Sequence, residues 1–168
     1  PGDGVVALEP TYPMYSVYAD IFQTDYHAVP FSKNLTIDVP SLIGEIDKDT
    51  ALVLLANPNL PVEGMLSISE IKKIANSCRT FHSVLVIDEA YHLFGADSAI
   101  GLVQEYDNVV ILRSFSKAYG LAGIRLGYML SQETNIEYLS KTRSLVEASG
   151  TSMAIANYML ENPKLVAS

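Results

Sequence analysis

Short runs rich in aliphatic and β-branched residues alternate with longer amphipathic stretches along the whole chain. The predicted strands cover 5–9, 26–30, 51–56, 83–88, 108–113 and 124–130, and the predicted helices cover 13–23, 39–46, 68–79, 96–105, 133–146 and 152–161. Ser67 and Glu70 have the spacing of a capping box, which marks the start of the third helix. The alternation predicts βαβ units, and therefore an α/β protein with a mostly parallel sheet.

The composition limits the class of protein. A length of 168 residues with 49% hydrophobic residues suits one domain with a buried core. The net charge of −8, with only 11 lysines and arginines, argues against a surface that binds nucleic acid or an anionic membrane. No apolar run approaches the roughly 20 residues that span a bilayer. The single cysteine, Cys78, excludes an internal disulfide and suits a reducing compartment such as the cytoplasm.

Polar side chains follow three of the predicted strands at the point where each strand ends. Asn57 and Asn59 follow the third strand, Asp88 and Tyr91 follow the fourth, and the segment 114–117 follows the fifth. Ligands of open α/β sheets bind at the carboxyl ends of the strands. We therefore expect these groups to meet in one crevice.

The segment 113–127 places one lysine among hydroxyls and glycines, and an arginine follows the lysine by eight residues. Lysine is the side chain that condenses with a carbonyl group to form a Schiff base, which makes Lys117 a candidate nucleophile. The hydroxyls of Ser114 and Ser116 and the guanidinium of Arg125 are natural partners for a phosphate dianion. This combination predicts a site for an aldehyde cofactor that carries a phosphate.

Two other interpretations of these residues lack their partner motifs. Ser114 and Lys117 also satisfy the S-x-x-K pattern of penicillin-binding enzymes, but the chain contains neither S-D-N nor K-T-G. The hydrophobic run that ends in Asp88 and Glu89 resembles a magnesium-binding Walker-B strand, but the chain contains no phosphate-binding G-x-x-x-x-G-K-[ST] loop. His27, His82 and His92 show no metal-ligand spacing, so no metal site is predicted.

Four motifs in order resemble those of the fold-type I pyridoxal-phosphate-dependent aminotransferases of class I and II, and most resemble the histidinol-phosphate aminotransferase group. They read EPTYPMY at 9–15, ANPNLPVEG at 56–64, VIDEAY at 86–91 and RSFSKAYGLAGIRLG at 113–127. The resemblance implies a three-layer α/β/α large domain whose strand at 124–130 runs antiparallel to the others. It also implies the cofactor pyridoxal 5′-phosphate.

The resemblance implies a role for each matching residue. Tyr12 stacks on the cofactor ring, Asp88 meets the pyridine nitrogen, and Tyr91 hydrogen-bonds to the cofactor's 3′-oxygen. Lys117 forms the Schiff base and later carries a proton between the substrate α-carbon and the cofactor's C4′. The phosphate is held by Ser114, Ser116 and Arg125.

The loop at 57–64 departs from the family pattern NPNNPTG. Aligned without a gap from the preceding strand, the family's asparagine that contacts the 3′-oxygen falls on Leu60, which cannot donate a hydrogen bond. One extra residue precedes Gly64, so a shifted loop would present Asn59 instead. Asn59 is therefore the predicted cofactor-binding asparagine.

The resemblance implies transamination between an L-amino acid, such as one like histidinol phosphate, and a 2-oxo acid. Similar proteins also decarboxylate phosphorylated amino acids, and a non-catalytic binding or structural module is a further alternative. Family members are homodimers of about twice this length, so residues 1–168 are expected to form an incomplete large domain without the N-terminal arm and the C-terminal small domain. Such a chain alone is expected to bind cofactor weakly and to turn over little or no substrate.

Overall fold

A computed structural model describes residues 2–144 and 147–166 and contains a single six-stranded sheet in the order β2-β1-β3-β4-β5-β6. The strands are β1 Gly4–Glu9, β2 Asp25–Pro30, β3 Thr50–Ala56, β4 Val84–Asp88, β5 Val109–Ser114 and β6 Gly127–Leu130. The α-helices are α1 Met14–Phe22, α2 Val39–Gly44, α3 Ile68–Thr80, α4 Leu102–Glu105, α5 Glu133–Ser140 and α6 Gly150–Glu161. Short 3-10 helices occur at His92–Phe94, Ala99–Gly101, Ala122–Ile124 and Pro163–Leu165.

The first five strands pair in parallel, and β6 pairs antiparallel with β5. In the antiparallel pair Ile111 lies opposite Leu130 and Ser114 lies opposite Gly127. A Cβ atom on Gly127 would lie only 2.8 Å from the carbonyl oxygen of Arg113, so this close approach requires glycine. The predicted mostly parallel sheet with one antiparallel strand is confirmed.

The largest core lies between one face of the sheet and the helices α2, α3 and α4. Its strand residues alternate with residues of the opposite face, as the pleat of a strand requires. Leu85 and Ile87 of β4, for example, are fully buried in this core, whereas Val86 and Asp88 between and after them are only partly buried. Helix α1 reaches the opposite face, because its Tyr15 contacts Asp88. Helices therefore lie on both faces, as the three-layer prediction requires.

Among the described helices, three begin after a residue whose side chain caps them: Asp38 for α2, Ser67 for α3 and Ser149 for α6. The predicted capping box is present at α3, where Ser67 accepts from the backbone N–H of Glu70 and the Glu70 carboxylate accepts from Ser67. Cys78 near the end of α3 is buried in the core. Within the described ranges, every helix is too short or too polar to cross a membrane.

Three predicted elements differ from the structure by three residues or more at one end. Strand β6 begins at Gly127 instead of residue 124, because Ala122–Ile124 is a 3-10 helix and Arg125 has a left-handed φ of 51°. The helix predicted at 96–105 consists of one 3-10 turn and the four-residue α4. The helix predicted at 133–146 ends at Ser140, and residues 145 and 146 lie outside the described residues.

Candidate active site

The carboxyl ends of β3, β4 and β5 lie side by side, and hydrogen bonds extend their pairing beyond the strands. The N–H of Asn57 donates to the carbonyl of Asp88 at 2.9 Å, and the N–H of Glu89 donates to the carbonyl of Leu112 at 2.8 Å. The loops that follow these three strands therefore start at the same edge of the sheet. This edge carries the polar residues that the sequence predicted to meet there.

Asp88 ends β4 with both carboxylate oxygens accepting hydrogen bonds. The backbone N–H of Ala90 donates to Oδ1 at 2.9 Å, and the hydroxyl of Tyr15 donates to Oδ2 at 3.0 Å. Burial raises the pKa of Asp88, and the two donors and the charge of Lys117 only partly oppose this increase. Within residues 2–144 and 147–166 no cation makes an ion pair with Asp88. A cationic ligand that reached the carboxylate would favour its ionised form.

Lys117 lies in the loop after β5 with an exposed side chain. Its Nζ atom is 4.8 Å from the centroid of the Tyr91 ring, a cation–π distance that joins the β5 loop to the β4 loop. A turn fixes the backbone here, because the N–H of Gly120 donates to the carbonyl of Lys117 at 2.8 Å and Gly120 has a φ of 66°. The predicted nucleophile and the half-buried Tyr91 are thus in contact.

Two tyrosines from the segment after β1 pack against each other beside Asp88. The rings of Tyr12 and Tyr15 are 5.6 Å apart and nearly perpendicular, at 88°. Tyr12 is 50% exposed, whereas Tyr15 is 7% exposed. Tyr12 can therefore offer a ring to a flat ligand while Tyr15 supports it from the protein side.

The predicted phosphate ligands lie in and after the β5 loop. The backbone N–H of Ser116 donates to Oγ of Ser114 at 3.0 Å, and the buried Phe115 between them packs on Tyr119 and Tyr128. These contacts anchor the loop and leave both serines half-buried. The exposed Arg125 donates to the carbonyl of Ala122 at 3.2 Å. In the part of the chain that the structure describes, no hydrogen bond or ion pair joins Arg125 to the two serines.

The two asparagines of the loop at 57–64 are buried and make internal hydrogen bonds. Asn59 donates to the carbonyls of Pro10 at 3.0 Å and Val62 at 3.3 Å, and its Oδ1 accepts from the hydroxyl of Thr11. Asn57 exchanges two hydrogen bonds with the backbone of Leu66. The cofactor contact of Asn59 stays a prediction, and it would require the amide to give up one of its present acceptors.

Sequence reasoning missed two sets of contacts at this edge of the sheet. The hydrogen bond from Tyr15 to Asp88 spans 73 residues of sequence, and the only local signal was that Tyr15 follows Tyr12 by three residues at the start of a helix. Glu89 is fully buried and binds Arg113, which was not singled out as a partner. The apolar residues on both sides of Asp88-Glu89 indicated burial but not the partners.

The family model for class I and II aminotransferases matches residues 1–168. The chain is 36% identical to the histidinol-phosphate aminotransferase of Pyrococcus furiosus, over 98% of this chain and 47% of that protein. The chain therefore spans about half the length of this curated relative.

Two solved structures share the fold. Histidinol-phosphate aminotransferase from Sinorhizobium meliloti, solved in complex with pyridoxal 5′-phosphate, superposes with a TM-score of 0.89 at 28% identity, over 99% of this chain and 46% of that one. L-threonine-O-3-phosphate decarboxylase from Porphyromonas gingivalis superposes with a TM-score of 0.83 at 21% identity, over 98% of this chain and 49% of that one, and this second likeness concerns the fold alone. From its sequence motifs, its sheet topology and the match along its whole length, the chain belongs to the class I and II aminotransferase family.

Proposed function

We propose that this chain binds pyridoxal 5′-phosphate through Lys117 and that the protein to which it belongs transfers an amino group between an L-amino acid and a 2-oxo acid. The observation that carries the proposal is the position of the partly buried Asp88 carboxylate at the end of β4, next to the loop of the adjacent parallel strand β5, whose Lys117 Nζ lies 4.8 Å from the Tyr91 ring centroid. An exposed Tyr12 ring and a cluster of serines flank these two groups. Together these groups suit a flat aldehyde that carries a phosphate and a cationic ring.

Each part of that cofactor has a matching group. Asp88 would accept from the protonated ring nitrogen, Tyr12 would lie on the ring face, and the Tyr91 hydroxyl would meet the 3′-oxygen. The phosphate would be held by Ser114, Ser116 and Arg125, with Asn59 as the expected further contact to the 3′-oxygen. When bound, pyridoxal phosphate supplies an electron sink for the bonds of the substrate α-carbon.

Lys117 would act twice in the reaction. Its Nζ would hold the cofactor covalently, and once released it would take the proton from the substrate α-carbon and deliver it to C4′. The Lys117 side chain is exposed, and the turn closed by Gly120 holds the backbone from which it extends. Asp88 would hold the proton on the ring nitrogen throughout.

The similarity to histidinol-phosphate aminotransferases supports a phosphorylated amino compound such as histidinol phosphate as the amino donor. The phosphoamino-acid decarboxylase reaction is the second candidate, supported by the shared fold of the Porphyromonas gingivalis enzyme. We expect the protein to act as a homodimer in the cytoplasm, with its partner subunit adding contacts to the phosphate.

A single-turnover experiment separates these functions. The protein made from its complete open reading frame is loaded with pyridoxal phosphate and mixed in turn with L-histidinol phosphate, L-glutamate and O-phospho-L-threonine. Transamination predicts stoichiometric pyridoxamine phosphate from a donor, and loss of this product in Lys117→Ala. Release of carbon dioxide with the cofactor unchanged would support the decarboxylase instead. Absence of both products with every substrate would contradict an enzymatic role.

A further inference from the structure

Tyr15 links two groups of the candidate site without facing the crevice itself. It lies in the first turn of α1, is 7% exposed, and donates its hydroxyl proton to Oδ2 of Asp88 at 3.0 Å. Its ring also packs nearly perpendicular to the ring of Tyr12, at 5.6 Å and 88°. One buried side chain thus contacts both the carboxylate and the exposed aromatic ring.

The hydrogen bonds of Asp88 fix the rotation of its carboxylate. Ala90 occupies one position on Oδ1 and Tyr15 occupies one position on Oδ2. A carboxylate has about four acceptor positions, so two donors leave acceptor capacity on both oxygens. With both oxygens held, the remaining lone pairs keep a constant direction, which a single donor on one oxygen would not ensure.

We infer that Tyr15 is a positioning residue that holds the Asp88 carboxylate and the Tyr12 ring at the spacing required by the nitrogen and the face of one bound pyridine ring. This inference rests on the proposed function, because it takes the pyridine ring as the ligand. Tyr15 itself does not touch the ligand. Its hydroxyl acts on the ring nitrogen through Asp88, and its aromatic ring acts on the ring face through Tyr12.

The charges around Asp88 determine the expected pH dependence. Tyr15 faces it from α1 and Lys117 faces it from the β5 loop, while Tyr12 and Tyr26 lie near the Tyr15 hydroxyl. Burial and the Asp88 charge raise the pKa of Tyr15, so its hydroxyl remains a donor at neutral and mildly alkaline pH. A donor favours the ionised carboxylate, and its removal should therefore raise the pKa of Asp88 further.

The variant Tyr15→Phe removes the hydroxyl and keeps the ring. Binding is measured between about pH 5 and pH 9, with thermal unfolding to verify the fold, on the protein made from its complete open reading frame. The probe is pyridoxine 5′-phosphate, whose alcohol cannot condense with Lys117. A second probe has C–H in place of the ring nitrogen. The control is Tyr18→Phe, which removes a hydroxyl from the same helix at a position 52% exposed.

Tyr15→Phe is expected to bind the nitrogen-containing probe about tenfold more weakly at neutral pH, the loss typical of one hydrogen bond to a charged group. The acid limb of binding should move to higher pH. The C–H probe should bind Tyr15→Phe at least as tightly as it binds wild type, because it offers Asp88 no proton. In an Asp88→Asn background the Tyr15→Phe change should have no further effect. Tyr15→Leu should weaken both probes, because Tyr12 then loses its support.

Three results would overturn the inference. If Tyr15→Phe binds the nitrogen-containing probe as tightly as wild type does at every pH, the hydroxyl has no role in binding. If Tyr15→Phe loses the same affinity for both probes, Tyr15 has only a structural role. Failure of wild type itself to bind either probe would contradict the proposed function, and this inference with it. The Tyr18→Phe control should match wild type in every case.

Discussion

Asp88 and Glu89 are neighbouring carboxylates at the end of the same strand, yet their surroundings differ. Glu89 is fully buried and accepts from Nε and Nη2 of Arg113 at 3.0 and 2.9 Å, and also from Ser98 and the N–H of Ala99. Within the described residues Asp88 accepts hydrogen bonds only from neutral donors, and Lys117 acts on it through its charge without an ion pair. In the described part of the chain, the buried Glu89 thus has a cationic partner, whereas the partly buried Asp88 has none.

The alternation of a strand explains how adjacent residues come to differ so much. Ile87 belongs to the core between the sheet and α2–α4, Asp88 projects to the opposite face, and Glu89 returns to the side of the core residue Ala99. A buried carboxylate without a cation costs free energy that folding does not recover. Such a group is therefore expected where a ligand provides the missing positive charge.

Breaking the Glu89–Arg113 pair should have the largest effect on stability. Glu89→Gln leaves the guanidinium of Arg113, with its side chain only 14% exposed, without a counter-charge. We expect the free energy of unfolding in urea to fall by about 3–5 kcal/mol. The control is Glu105→Gln, which breaks an exposed pair with Lys72 at 2.7 Å and should cost less than about 1 kcal/mol. If both variants lose the same unfolding free energy, the buried pair contributes no more to stability than the exposed one.

Asp88→Asn should weaken cofactor binding without destabilising the protein, in contrast to the loss of stability expected for Glu89→Gln. The affinity for pyridoxal phosphate should fall about 30-fold or more, as expected when one partner of a buried charge pair is removed. The unfolding free energy of the cofactor-free protein at neutral pH should stay the same or rise, because a partly buried charge without an ion-pair partner among the described residues is lost. Affinity is measured by fluorescence titration and stability by urea denaturation. A strongly destabilised variant would place Asp88 among the structural residues with Glu89.

The two arginines extend the same comparison to cations. Arg113 is neutralised inside the protein, whereas Arg125 is exposed. Arg125→Ala should weaken binding of pyridoxal 5′-phosphate about tenfold and leave binding of unphosphorylated pyridoxal and the unfolding free energy unchanged. Arg143→Ala, at an exposed position that pairs with Glu147, is the matched control. If Arg125→Ala loses a similar affinity for both ligands, Arg125 does not bind the phosphate.

The smallest effect is a pH dependence of stability. Because burial raises the pKa of Asp88 in the folded state, its contribution to stability is fully present below the pKa of the unfolded chain and is lost as the pH rises through the folded-state pKa. The cofactor-free wild type should therefore lose stability relative to Asp88→Asn between about pH 4, the ordinary aspartate pKa, and neutrality. Urea unfolding of both proteins across this range measures the difference. A constant difference would mean that the carboxylate titrates normally.

The sequence predicted what depends on short-range patterns. Aliphatic runs gave all six strands, and the hydroxyl and glutamate at Ser67 and Glu70 marked the start of α3. The start of β6 was predicted three residues early, since the apolar residues Ile124 and Leu126 resemble a strand although Arg125 adopts a left-handed conformation.

The candidate site was predicted in its residue types but not in its internal contacts. Placing Asp88 and Lys117 at one edge of the sheet required only the rule that parallel strands end together. The bond from Tyr15 to Asp88 and the pair of Glu89 with Arg113 depend on tertiary contacts between residues 73 and 24 positions apart, which no local pattern specifies. The internal hydrogen bonds of Asn59 were missed for the same reason.

The most direct test of the central claim is to locate the covalent attachment of the cofactor. The protein made from its complete open reading frame is incubated with pyridoxal phosphate, reduced with borohydride, digested and mapped by mass spectrometry. We predict a label on Lys117 with about one cofactor per chain, and loss of that label in Lys117→Arg. Label distributed over exposed lysines such as Lys48, or unchanged labelling in Lys117→Arg, would contradict the account.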